Sequence, residues 1–63
     1  MSPGDHCILV KNTFMYKGIF ILSNSTVKIE KIHADGIDVL YHDKEGNPHT
    51  ISNLQKEDIK EIG

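Results

Sequence analysis

Arginine and tryptophan are missing from the chain altogether, and alanine and cysteine occur once each, as Ala34 and Cys7. Without arginine there is no planar, five-donor fork for bidentate contacts to phosphate or guanine, which weighs against nucleic-acid recognition. A single cysteine excludes an intramolecular disulfide and a cysteine-rich zinc site. No stretch approaches the roughly 18 apolar residues of a membrane span, and the opening "MSPGDHCILV" has no basic segment followed by an adequate apolar one. A soluble protein of a reducing cytoplasm, with no membrane partner, is expected. The scarcity of strong helix formers, set against nine isoleucines, favours strands. Nine Ile, seven Lys and no Arg also suggest an AT-rich genome, such as that of a low-GC bacterium or one of its phages.

What is present fits one small domain, residues 1–63. A chain of this length buries only about 60% of its unfolded surface. It therefore has little room for a catalytic cleft, and with disulfides and a cysteine-rich metal site excluded, self-association is the remaining route to extra stability. The formal charge of −2 conceals an asymmetry. Residues 1–34 carry four Lys against Asp5 and Glu30, whereas residues 35–63 carry three Lys against seven acids. Neither half is basic enough to read as a nucleic-acid footprint.

Short apolar runs alternate with turn residues, as in all-β domains. The runs are His6 to Lys11, Gly18 to Leu22, Thr26 to His33, Ile37 to His42 and Pro48 to Ser52. Within the second, the unbroken "IFIL" predicts burial on both faces. "DKEG" (Asp43 to Gly46) has an acid at the first turn position and Gly where a left-handed residue is needed. Closing that hairpin between Asp43 and Asn47 pairs Tyr41 with His49, Leu40 with Thr50 and Val39 with Ile51. "HADG" (His33 to Gly36) allows a three-residue loop pairing Ile29 with Tyr41, or an Asp-Gly loop pairing Ile32 with Val39. Because Val27 and Ile29 have one parity and Ile32 the other, a bulge is expected near Glu30 or Lys31. The tail "SNLQKEDIKEI" reads either as a short helix, with Ser52 and Gln55 as a capping box, or as a 3₁₀ turn over Leu54 to Glu57 before a strand at Ile59 to Ile62. The second reading is preferred.

This order of elements, with short strands, a long connection at Asn12 to Lys17, two tight hairpins and a turn before the last strand, resembles that of SH3-like small β-barrels over residues 6–62. The resemblance implies an all-β, five-stranded SH3-like barrel with a short 3₁₀ turn or short helix near the C-terminus. In texture it is similar to small barrel proteins of bacteria and phages. The chain lacks the Trp and the acidic, Tyr-rich patch with which signalling SH3 domains grip proline-rich peptides, so that activity is not implied.

The candidates for chemistry are weak. In the register above, His42 and His49 project from opposite faces of their hairpin and do not converge on a metal. "DKEGN" lacks the alternating acids and the distant Glu of a calcium loop. Cys7 sits in an apolar run with only His6 nearby to activate it. Glu57 and Asp58 are solvated, and there is no glycine loop to cradle phosphate. Neither an enzyme nor a bound cofactor or metal is expected.

"NTFMYKG" (Asn12 to Gly18) holds the main functional expectation. Alternation along a strand cannot bury Phe14, Met15 and Tyr16 on one side, so at least one is exposed, and exposed aromatic and Met side chains are enriched in interface cores. The expected partner-binding residues are Phe14, Met15 and Tyr16, with Lys17 at the rim and Tyr41 and His49 on the neighbouring hairpin. The expected function is non-catalytic protein binding, by a small bacterial or phage accessory or inhibitor protein that binds a protein partner or itself as a homo-oligomer. Two alternatives are a homo-oligomer that sequesters a small anionic ligand such as a nucleotide, and a disfavoured barrel for single-stranded nucleic acid, in which Lys11, Lys17, Lys28 and Lys31 interleave with Phe14, Tyr16 and Phe20.

Overall fold

The computed structural model describes residues 1–62, and they form an all-β protein with no α-helix. Seven strands run β1 (His6–Leu9), β2 (Phe14–Tyr16), β3 (Ile19–Ile21), β4 (Thr26–His33), β5 (Gly36–His42), β6 (Pro48–Leu54) and β7 (Ile59–Glu61), with a 3₁₀ turn at Lys56–Asp58. Five of them build one open antiparallel sheet in the order β6-β5-β4-β1-β7, and β2 pairs with β3 as a separate two-stranded sheet. The main sheet thus has the expected five strands, but Gly18 to Leu22 contributes none of them.

Period-two alternation decides which side chains point inward. Cys7 and Leu9 of β1, Val27 and Ile29 of β4, and Val39, Tyr41 and Ile51 of β5 and β6 form the centre of the core, with Ile37, Leu54 and Ile59 at its margins. The β2–β3 hairpin covers this face. Ile21 enters the core, and Phe14, Tyr16 and Ile19 pack against it. Full burial of an aliphatic side chain such as Ile29 is worth about 1.5–3 kcal/mol, so these apolar positions are the main source of stability in so short a chain.

The turns account for the registers. Asp43 closes the β5–β6 hairpin on Asn47, with the Asp43 N–H donating to the Asn47 carbonyl at 3.0 Å, and Gly46 is left-handed at φ +83°. The pairs Tyr41 with His49, Leu40 with Thr50 and Val39 with Ile51 are those expected from "DKEG". The bulge in β4 also falls where parity demanded it, between Ile29 and Lys31. "HADG" takes neither expected form. The loop is Ala34-Asp35, with His33 opposite Gly36 and Ile32 opposite Ile37. The reason lies in a distant residue. A second bulge brings Asn53 of β6, at φ +64°, so close to Gly36 that a Cβ there would lie 2.8 Å from the Asn53 Cα. Gly36 is thus needed inside the strand rather than in the turn.

At the C-terminal end the 3₁₀ turn and final strand replace the short helix. The Ser52–Gln55 box that the helix alternative required does not cap it. Instead the Gln55 N–H donates to the Asp58 carboxylate at 2.9 Å, and the Asp58 carbonyl accepts the N–H groups of Val10 and Lys11 at 2.8 and 3.2 Å. Opposite, at the β6 edge, the Ser52 N–H donates to the Tyr16 hydroxyl at 3.3 Å, tying the small hairpin to the large sheet.

Candidate interaction surface

The stretch read as an irregular connection is half of a hairpin. Lys17 and Gly18 both have positive φ, at 49° and 86°, the signature of a two-residue type I′ turn whose twist matches that of its flanking strands. Phe14 therefore pairs with Ile21, Met15 with Phe20 and Tyr16 with Ile19. Alternation then sorts the aromatic run. Phe14 and Tyr16 turn inward and are half-buried, whereas Met15 is 62% exposed. Its cross-strand neighbour Phe20 is 64% exposed, and Leu22, just past the strand, 41%. "IFIL" is thus not buried on both faces, because a hairpin lying on the core has one face in water.

Met15 and Phe20 form an apolar ridge along the outside of the hairpin. Beside it lies an open depression of about 480 Å³, walled by Gly18, Ile19, Phe20 and Leu22 on one side and by Tyr41, Asp43, Lys44 and Glu45 on the other. Phe20 belongs to both features. Lys17, at the hairpin tip, is exposed, and its ammonium lies 5.4 Å from the centre of the Tyr16 ring. Lys11 sits 4.7 Å over the Phe14 ring. Both inward aromatics are thus covered by lysines and by core, which leaves Phe20 as the aromatic ring bare to water among the described residues.

Tyr41, expected on the binding surface, is only 4% exposed and belongs to the core, and it touches the depression only as part of its wall. His49 is half-buried and committed elsewhere. Its Nε2 donates to the Asp43 carboxylate at 2.8 Å, and the other Asp43 oxygen accepts the N–H groups of Glu45 and Asn47, each at 2.9 Å. The His49 bond, followed by those backbone donors, holds the Asp43 carboxyl below the usual aspartate range. The role of this cluster is to fix the turn that forms one wall of the depression.

A second pair occupies the other large hairpin, where His33 Nε2 donates to Asp38 at 2.9 Å, and that bond again lowers the aspartate. Among the described residues no three of His, Cys, Asp and Glu lie close enough to share a metal ion. Cys7 is fully buried, and burial, more than its acidic neighbours, pushes its thiol pKa up. That is the opposite of an activated nucleophile.

The surface thus gathers Met15, Phe20, Leu22 and Lys17. As a surface residue Phe20 entered the sequence reading only in the nucleic-acid alternative and Leu22 not at all, although one pattern could have placed both beside Met15: "FMY" and "IFI" are mirror-related about the Lys-Gly pair. No protein-family profile, curated protein or solved structure matches the chain.

Proposed function

We propose that the chain is a non-catalytic protein-binding module of the SH3-like small-barrel type, docking through the Met15–Phe20 ridge and the depression beside it. The fold part of the reading is supported by the strand order β6-β5-β4-β1-β7, by the hairpin inserted between β1 and β4, and by the 3₁₀ turn before the last strand. The functional part is carried by one observation. Two large apolar side chains stand side by side and more than 60% exposed on a hairpin whose other face is packed. Met and Phe are enriched in interfaces, where a few such anchors carry most of the binding free energy.

The test is differential capture from a bacterial lysate. The chain is immobilised as wild type, Phe20→Ser, Met15→Ser and Ile32→Ser, the last altering an exposed apolar residue on another hairpin. Proteins retained by wild type and Ile32→Ser but lost from both hairpin variants support the reading. A retained set indifferent to Phe20 and Met15 overturns it.

A further inference from the structure

We infer that the occupant of this surface is a second copy of the same chain, joined across a two-fold axis; the inference rests on the docking reading above and names its partner. The argument begins with shape. An isologous contact uses the same patch on both subunits, so the patch must be complementary to itself. Here a ridge, Met15 and Phe20, stands next to a hollow of about 480 Å³ whose floor and walls include Ile19, Leu22 and Tyr41. A two-fold rotation exchanges ridge and hollow, so that each copy's ridge enters the other's hollow. A patch with a projection alone, or a cavity alone, could not be satisfied in this way.

Charge agrees with shape. The tip of the ridge carries Lys17, while on the far rim of the hollow Asp43 and Glu45 outnumber Lys44. Seating ridge in hollow sets Lys17 of each copy towards the other's acidic rim, twice per dimer. Size sets the extent the contact would need, beyond the hollow itself. A specific contact covers about 800 Å² per partner, close to a fifth of this chain's 4247 Å², and the patch spans the whole hairpin and the turn after β5. A chain of 63 residues with its only cysteine free and buried is also of the size for which association supplies stability that the core cannot.

The experiment is sedimentation equilibrium of the full chain from about 1 µM to 1 mM, with Phe20→Ser, Met15→Ser and Ile32→Ser run alongside. The expected result is a mass rising from 7.1 kDa to twice that value and no further. Association should be weakened at least about 30-fold by Phe20→Ser, which acts twice per dimer, and left within about threefold by Ile32→Ser. Circular dichroism spectra of the dilute variants should match the wild type, since both hairpin side chains face water. A monomer at 1 mM overturns the inference, as does a trimer or tetramer, or a dimer disrupted by Ile32→Ser and not by Phe20→Ser. A monomer that still captures lysate proteins through Phe20 and Met15 overturns the second copy alone and leaves the docking surface standing. A monomer that captures nothing through them overturns both.

Discussion

Gly36→Ala adds one methyl group to a position where the backbone itself is in the way. The new Cβ would lie 2.8 Å from the Cα of Asn53 and 3.3 Å from its carbonyl carbon. Neither atom belongs to a side chain that could swing aside, so β5 and β6 must separate locally or the Asn53 bulge must open. Gly36 itself lies outside the left-handed region, which makes the penalty purely one of space. Over-packing of this kind costs about 1–3 kcal/mol, and collision with main chain places Gly36→Ala near the top, at about 2–3 kcal/mol. A domain of this length has only about 3–9 kcal/mol in total, so the melting temperature should drop by roughly 15–23 °C. Urea unfolding followed by tyrosine fluorescence and circular dichroism, with wild type as reference, measures this directly. Two controls sharpen the result. Gly18→Ala meets nothing within 4 Å but sits at φ +86°, and should cost about 1–2 kcal/mol through conformation alone. Asn53→Gly should gain no more in the Gly36→Ala background than in the wild type, where it only relieves the left-handed backbone at φ +64°, because the obstructing Cα remains. If Gly36→Ala unfolds within about 0.5 kcal/mol of wild type, or Asn53→Gly rescues it beyond that shared gain, the explanation of the displaced turn is refuted.

Three further outcomes are expected. Tyr16→Ala should lower stability by about 2–3 kcal/mol because the ring packs on the core, whereas Tyr16→Phe, which loses only the acceptor for the Ser52 N–H, should cost about 0.5–1 kcal/mol in the same urea assay. Asp38 and Asp43 titrate below the ordinary aspartate value when folded. Their contribution is therefore complete above an unfolded pKa of about 3.9 and is lost as pH falls through the lower folded values; Asp43→Asn and Asp38→Asn should each flatten the acid limb of a stability–pH curve. Cys7, fully buried with a raised thiol pKa, should react with a disulfide reagent only as fast as the chain opens, and a rapid native burst would contradict its placement.

Local chemistry made some of this fold readable in advance. Asp43 and Gly46 specify their turn within four residues, so the pairs Tyr41–His49 and Val39–Ile51 followed from sequence. Parity between Val27, Ile29 and Ile32 located the bulge, and the 3₁₀ turn and strand preferred over a short helix in the tail are those found. The readings that failed depend on residues far apart in the chain. Only Asn53, seventeen positions away, reveals why Gly36 lies in a strand and why the loop before it is shifted. The type I′ turn was hidden because Lys17 holds a left-handed position usually taken by Asn, Asp or Gly. Missing that turn concealed the pairing of Met15 with Phe20, and with it the alternation that sends Phe14 and Tyr16 inward. The stretch expected to expose an apolar side chain therefore does so, at Met15, but its two faces could not be assigned from sequence.

The single hydrogen bond from Ser52 to Tyr16 has a bearing on solubility. Edge strands are the usual starting points for fibrils because their free amides and carbonyls can recruit another chain. In this protein the long edge, β6, opens with Pro48, is broken by the left-handed Asn53 and has the amide between them occupied by a phenol, while the other edge, β7, is three residues long. Little uninterrupted ladder is left on which a neighbour could grow. Growth by strand addition is therefore hindered at both edges of the main sheet, whatever the bare Met15 and Phe20 of the small hairpin contact.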